Sequence, residues 1–103
     1  MGAKTFLLSK FLELEEINLD DNQLTNDAIR NLKTFTELQY ISLSGNSLDD
    51  QSVNTIQDIN SNGLSFLAIS RNNFTNMSLD RLLHMKRLEV LLIDRNKISL
   101  SKQ

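Results

Sequence analysis

One stretch decides how this chain folds: Leu38-Gln39-Tyr40-Ile41-Ser42-Leu43-Ser44-Gly45-Asn46-Ser47-Leu48. It reads L-x-x-L-x-L-x-x-N-x-L, with Ile at one of the Leu positions. The same pattern occurs three more times, over residues 14–24, 64–74 and 88–98, with Ile or Phe sometimes replacing Leu. A fixed period of this size indicates a solenoid, in which each unit buries its apolar side chains against its neighbours.

The spacing of the four copies also predicts helices. We number positions within a copy from its starting Leu, which is position 0; the copies start at residues 14, 38, 64 and 88, so the steps are 24, 26 and 24 residues. Apolar residues recur at positions 15, 18 and 21, as on one face of a helix. This register holds through Ile59, so the two extra residues of the longer step lie in the turn-rich stretch 60–63. Helices are therefore predicted near 26–36, 50–60 and 76–86.

Residues that can cap a helix stand at position 11, namely Thr25, Asp49 and Thr75. The L-x-L part of each copy predicts a short strand whose side chains alternate between core and solvent. Strands are expected near 16–19, 40–43, 66–69 and 90–93. Strands that alternate with helices, with neighbours in contact, give a parallel sheet. The prediction is thus a single α/β domain over residues 1–103.

The two ends differ from the middle, as the ends of a repeat array should. Residues 4–12 repeat the apolar spacing of a helical half-unit, which predicts a helical N-terminal cap. After Ile98 the sequence stops without a further helix, so the last copy has no predicted cap. Its edge, around Leu91, Ile93 and Leu100, is expected to be apolar and unprotected.

Composition excludes several function classes. The chain has 103 residues, with 11 basic and 13 acidic side chains and a net charge of −2. Its overall charge would therefore not attract nucleic acid or an anionic membrane. It has no cysteine, which excludes disulfides, a thiolate zinc site and a cysteine nucleophile. No signal-peptide core or apolar run long enough to span a membrane is visible. This fits an intracellular location, in the cytoplasm or, for a bacterial effector, in the cytoplasm of a host.

The repeated motif resembles the leucine-rich repeat family, over residues 4 to 100. The resemblance implies a curved coil with a parallel sheet on its concave face and helices on its convex face. It also implies that the motif asparagines, Asn22, Asn46, Asn72 and Asn96, hydrogen-bond the backbones of neighbouring coils as a ladder. Buried turns leave backbone groups that need such partners.

Members of this family usually bind protein partners on the concave face, and positions 2, 4, 6 and 7 line it if the L-x-L residues point inward. The residues at these positions are acidic in the first copy, and in the later copies they are apolar with two arginines. The expected partner-binding residues are Glu16, Asp20, Tyr40, Phe66, Ala68, Arg71, Val90, Leu92 and Arg95. Apolar and aromatic side chains rimmed by Arg are typical of protein interfaces. The alternative is that the aromatics only pack on each other across strands, or that a flanking segment outside this sequence covers them.

No residues form a recognisable catalytic or metal-binding constellation. His84 is the only histidine and stands outside the core positions, which favours a solvated side chain. The pair Asp20-Asp21 lacks the surrounding calcium-loop pattern. The sequence therefore predicts a non-catalytic protein-interaction module without cofactor or metal. Two alternatives stay open: a scaffold that assembles through its C-terminal edge, as a homo-oligomer or within a longer chain, and the recognition arm of an enzyme whose catalytic domain lies elsewhere.

Overall fold

A parallel sheet of four short strands forms the centre of the molecule. The computed structural model describes residues 12–99, and the strands are β1 (Glu16–Asn18), β2 (Tyr40–Ser42), β3 (Phe66–Ala68) and β4 (Val90–Leu92). They lie in chain order, β1-β2-β3-β4, and each pairs in parallel with the next. The sequence placed all four strands correctly, and each is one residue shorter at its C-terminal end than predicted.

The copies of the motif meet in exact register. Glu16 pairs with Tyr40, Tyr40 with Phe66, and Phe66 with Val90, so every strand contributes the same position to each row of the sheet. The pairing continues past the strands, because the N–H groups of Asp21, Gly45 and Arg71 donate to carbonyls one copy later, at 2.9–3.0 Å. The sheet is therefore extended by turns that repeat with the same period.

Helices stand between the strands, as the sequence predicts, but they are shorter than expected. A 3₁₀ helix covers Ala28–Thr34, a 3₁₀ turn at Asp50–Ser52 leads into the α-helix Val53–Asp58, and a second α-helix covers Asn76–Leu82. The first of them is 3₁₀ throughout. Its apolar residues recur every three positions, but the same spacing occurs in the two α-helical units, so this spacing does not select the helix type.

Two of the three predicted helix caps are present. The Asp49 carboxylate accepts from the N–H of Gln51 at 2.9 Å, and Thr75 Oγ1 accepts from that of Met77 at 3.3 Å. The expectation for Thr25 was wrong. There the backbone carbonyl of Thr25 accepts from Ala28 N at 3.0 Å, so the chain turns first and the helix begins after Asp27, which makes no side-chain cap.

The core lies between the sheet and the helices and is built from the predicted apolar positions. In the second copy every one of them is 0–1 % exposed: Leu38, Ile41, Leu43, Leu48, Val53, Ile56 and Ile59. The largest buried side chain is Phe74, which replaces Leu at position 10 of the third copy. The core is continuous from one copy to the next, because each row of side chains is covered by the same row of its neighbour.

The longer step between the second and third copies is taken up by a closed turn. Asn60 has a positive φ of 41°, and its carbonyl accepts from Gly63 N and Leu64 N at 2.8 and 2.9 Å. The extra residues therefore stay outside both the helix and the sheet, as the sequence indicated. The predicted N-terminal cap over residues 4–12 and the edge residue Leu100 lie outside the described residues, except for Leu12.

Candidate functional site

The motif asparagines form hydrogen bonds that join successive copies. Asn72, which is 7 % exposed, accepts from Leu48 N at 3.1 Å through Oδ1 and donates to Leu43 O, Ile69 O and Ser70 O through Nδ2. Asn46 and Asn96 make the same contacts one copy earlier and one copy later. Each amide thus satisfies backbone groups of its own turn and of the turn before it.

Asn22, in the first copy, makes a smaller set of contacts. Its Nδ2 donates to Asp20 O at 2.9 Å, within its own turn, and no described residue donates to its Oδ1. The described chain holds no earlier copy for it to bridge. The asparagines of the later copies therefore join more backbone groups than Asn22 does.

A second polar column joins the copies on the helix side, and the sequence analysis missed it. It consists of the residues at position 12, Asn26, Asp50 and Asn76. Each contacts position 11 of the next copy, and Asn26 and Asp50 also contact position 14. Asp50 accepts from Thr75 N at 2.9 Å, from Thr75 Oγ1 and from Ser78 Oγ. Asn26 contacts Asp49 in the same way, and Asn76 contacts Ser99. The signal was visible, because an Asn or Asp stands at position 12 in three copies.

The pKa of Asp50 reflects this environment. Partial burial raises the pKa of the carboxyl group, but the hydrogen bonds from Ser78 and Thr75 outweigh burial, and the pKa is lowered from 3.8. The ionised carboxylate is therefore the form that this column stabilises.

A third row of hydrogen bonds crosses the sheet where the strands end. Asp20 Oδ1 accepts from Ser42 Oγ at 2.6 Å and from Ser44 N at 2.8 Å, and Ser44 Oγ accepts from Ser70 N at 3.1 Å. Ser70 Oγ in turn donates to Asp94 Oδ1, and this bond lowers the pKa of Asp94. Asp20 was expected to face a partner. Its carboxylate instead joins the first copy to the second and is half-buried.

Position 7 of every copy has a positive φ: 58° at Asp21, 69° at Gly45, 53° at Arg71 and 57° at Arg95. Only the second copy has Gly there. A Cβ at Gly45 would lie 2.0 Å from Asp21 Oδ1 and 2.6 Å from an Arg71 guanidinium nitrogen. The missing side chain lets Asp21 and Arg71 form an ion pair of 2.9 Å directly across the second copy.

This ion pair changes the role of Arg71. From the sequence, Arg71 was expected on the rim of the partner-binding surface. Its guanidinium donates to Asp21 Oδ1, and that hydrogen bond raises the pKa of Arg71. Arg95, in the next copy, has no ion-pair partner among residues 12–99.

We define the outer sheet face by the side chains at positions 2 and 4. In the middle of this face these side chains are largely shielded from solvent. Tyr40 and Phe66 stack with ring centroids 4.2 Å apart and planes 8° from parallel, and both are half-buried. This is the cross-strand packing that the sequence left as an alternative. Ala68 was expected in the partner site but is only 5 % exposed. It offers almost no area to a partner.

The exposed apolar area of this face lies on the last strand. Val90 is 40 % and Leu92 is 45 % exposed, while the intervening Leu91 points toward the core. Glu16, at the other end of the same row as Val90, is also exposed. Of the expected partner-facing residues, Val90, Leu92, Arg95 and Glu16 are therefore the ones that remain accessible and without a described ion-pair partner.

The remaining candidates lead to no catalytic or metal site. His84 is exposed, and its Nδ1 lies 2.7 Å from Asp80 O. Among residues 12–99 no group of three His, Cys, Asp or Glu side chains lies close enough to hold a metal ion. A polar recess near Asp49, Asp50 and Lys97 is lined by carboxylates that already accept hydrogen bonds from the chain. No helix of the described residues is long and apolar enough to cross a membrane.

Comparison with known proteins supports the family that the motif resembles. A family model described as Leucine Rich Repeat matches residues 37–62, which contain the second copy and the helix after it. No curated protein matches the chain. The four-strand parallel sheet and the intervening helices fit an α/β repeat fold. The match supports a resemblance to the leucine-rich repeat family over the second copy, and the same motif recurs in the other three copies.

Proposed function

We propose that this chain is a non-catalytic protein-interaction module that holds a protein partner on the concave face of its sheet, at the C-terminal end. One observation carries the proposal: Val90 and Leu92 stand 40 % and 45 % exposed side by side on the outer sheet face. Exposed neighbouring apolar side chains on a rigid element are typical of protein-binding surfaces. Leucine-rich repeats generally bind proteins, which supports the same conclusion.

The charges around this pair favour a protein over a nucleic acid. Glu89 directly precedes Val90 and Arg95 follows Leu92 by three residues, so charges of both signs flank the apolar pair in the sequence. The chain carries a net charge of −2, and Arg71 is already paired with Asp21. A phosphate backbone would need several unpaired cations on one surface.

The test compares two double variants of the chain as bait. Val90→Ser with Leu92→Ser removes the exposed pair on the sheet, whereas Met77→Ser with Leu83→Ser removes an exposed apolar pair near the second α-helix, where the side chains are 53 % and 65 % exposed. Proteins captured by the immobilised chain are quantified by mass spectrometry, and thermal unfolding checks that each variant is folded. We expect the sheet variant to lose specific partners that the helix variant retains. Equal capture by both variants would refute the proposal.

A scaffold role through the C-terminal edge is the second candidate. It is favoured by the fourth copy, because its core-facing residues Leu91 and Ile93 are partly exposed while the equivalent Leu67 and Ile69 are fully buried. Light scattering over a range of concentrations separates the two functions, since assembly of copies through this edge makes the mass depend on concentration.

A further inference from the structure

The first two strands place an acid beside an aromatic ring on the outer sheet face. Glu16 of β1 and Tyr40 of β2 are partners in the parallel register, so their side chains stand next to each other in one row. Glu16 is exposed and Tyr40 is half-buried. A further copy before the first or after the last would not come between these two side chains.

The ring of Tyr40 has one covered face and one face that is directed toward β1. The ring stacks on Phe66 of β3, with centroids 4.2 Å apart and planes 8° from parallel. Neighbouring strands lie about 4.8 Å apart, so the two rings stack along the row of the sheet. The second face of Tyr40 is therefore turned toward Glu16. No cation from residues 12–99 lies over this face.

The charge of Glu16 is not balanced within the described part of the chain. None of the ion pairs among residues 12–99 involves Glu16. Two other acids of the first copy differ in this respect, because Asp20 accepts hydrogen bonds from the second copy and Asp21 pairs with Arg71. Glu16 is thus an acid of the outer sheet face whose charge is left for a partner.

A carboxylate beside the face of an aromatic ring is a binding environment for a cationic side chain. The ring face attracts a cation within about 6 Å of its centroid, and the carboxylate pairs with the same cation. A guanidinium group fits best, because it is planar, stacks on rings and donates two hydrogen bonds to one carboxylate. Glu16 is exposed, so its side chain can adjust to admit such a group. We call the space between the Glu16 carboxylate and the free face of Tyr40 the cation slot.

We propose that the cation slot binds an Arg side chain of a partner protein segment that crosses the strands and lays an apolar side chain over Val90 and Leu92. This inference rests on the proposed protein-binding function and names the chemistry of its partner. Along the row, the slot lies about two and a half strand spacings, or about 12 Å, from Val90. An extended segment advances about 3.3 Å per residue, so an apolar residue four positions from the Arg spans this distance.

The experiment titrates the ¹⁵N-labelled intact chain with two peptides and follows its amide signals by NMR. The first peptide is acetyl-Arg-Gly-Ser-Gly-Leu-amide, and the second has citrulline, the neutral isostere of Arg, at the first position. We expect the Arg peptide to bind with a Kd of about 1 mM or below, with shifts at Glu16, Tyr40 and Val90. The citrulline peptide should bind at least about tenfold more weakly. Equal binding of the two peptides, or no saturable shift with either, would overturn the proposal.

Variants of the chain then locate the bound cation. Glu16→Gln should weaken binding of the Arg peptide at least about fivefold, whereas Glu37→Gln, the same loss of charge at an exposed residue outside the row, should change the Kd less than about twofold. Tyr40→Leu should weaken binding, and Tyr40→Phe, which keeps the ring face, should leave the Kd within about twofold. Equal effects of the two glutamate variants would show that the cation binds elsewhere. If Tyr40→Leu does not fold, the glutamate pair decides alone.

Two further measurements separate other occupants of the slot. Acetyl-arginine amide lacks the apolar residue and should bind at least about threefold more weakly than the Arg peptide; equal affinity would assign the slot to a small cation. The signals of Glu16 and Tyr40 should not move when the chain alone is concentrated, since such movement would assign the slot to another copy. Either contrary result would overturn the proposal of a partner segment.

The result for the slot is separable from the result for the proposed function. Equal binding of the Arg and citrulline peptides, together with partner capture that depends on Val90 and Leu92, would reject the cation slot alone. A preference for Arg that depends on Glu16, with capture unchanged in the Val90 and Leu92 variant, would reject the proposed use of the C-terminal end of the sheet instead.

Discussion

Replacing Asn72 with Ala is the sharpest test of how the copies are held together. The side chain makes four hydrogen bonds of 3.0–3.2 Å, but the loss of these bonds does not affect the four backbone partners equally. Leu43 O still accepts from Asn46, and Ile69 O still accepts from Asn96. Ser70 O likewise keeps a backbone donor. Leu48 N alone is left without a partner.

The expected loss of stability follows from this one unpaired N–H group. A buried backbone donor without a partner costs about 1–3 kcal/mol, and Leu48 is 0 % exposed. We therefore expect Asn72→Ala to lower the free energy of unfolding by about 2 kcal/mol. The control is Asn22→Ala, which removes one bond within an exposed turn and should cost less than about 0.5 kcal/mol.

Urea unfolding followed by circular dichroism measures both variants, with the slope of the transition expected to stay unchanged. Asn72→Asp provides a further check. Its carboxylate can still accept from Leu48 N but faces three carbonyl oxygens, so this variant should be less stable than Asn72→Ala at pH 7. If Asn72→Ala and Asn22→Ala were equally stable, the asparagine column would not hold the copies together.

Three further predictions concern other parts of the fold. Gly45→Ala should lower stability by about 1 kcal/mol from its positive φ and should break the contact of Asp21 with Arg71, which a crystal structure or the salt dependence of melting would report. Asp50→Asn should lower the free energy of unfolding by about 1 kcal/mol in urea titrations at pH 7. The pKa of Asp50 in the folded chain lies below 3.8, the value in the unfolded chain. The difference in stability between the parent chain and the variant should therefore be complete above pH 3.8 and disappear as the pH falls through the pKa of the folded chain. Phe74→Ala should cost about 3–5 kcal/mol, and the equivalent Ile98→Ala less, because Phe74 is 0 % exposed and Ile98 is partly exposed; equal losses would contradict this difference in burial.

Much of the fold was predictable because each position is repeated four times. The alternation of Ile41 with Ser42 and Leu43 predicts a strand wherever it recurs, and the strands were found within one residue. Helix type was harder to predict. The spacing of Ile29, Leu32 and Phe35 is compatible with α and 3₁₀ geometry alike, and the sequence does not state which hydrogen bonds close the turn. The resemblance of the motif to a known family supplied the role of its asparagines.

The candidate site was predicted less well, because exposure depends on side chains from several copies. Ala68 stands at an outward position of the repeat, yet it is only 5 % exposed. Arg71 pairs with Asp21, fifty residues away, and only the absence of a side chain at Gly45 makes this contact feasible. Such pairs are not revealed when the residue at a given position is considered in each copy separately. Reading position 7 across three copies, as acid, Gly and base, would have suggested the pair.

The turn closed by Asn60 has a consequence for how this chain can be lengthened. Its two extra residues lie beyond the helix that ends at Asp58 and before β3, and Leu64 still enters the core at position 0. Additional residues beside Ser61 and Asn62, both exposed, would leave every row of the sheet unchanged. This turn is thus where an affinity tag, a protease site or a fluorophore can be inserted while β3 and β4 keep their register.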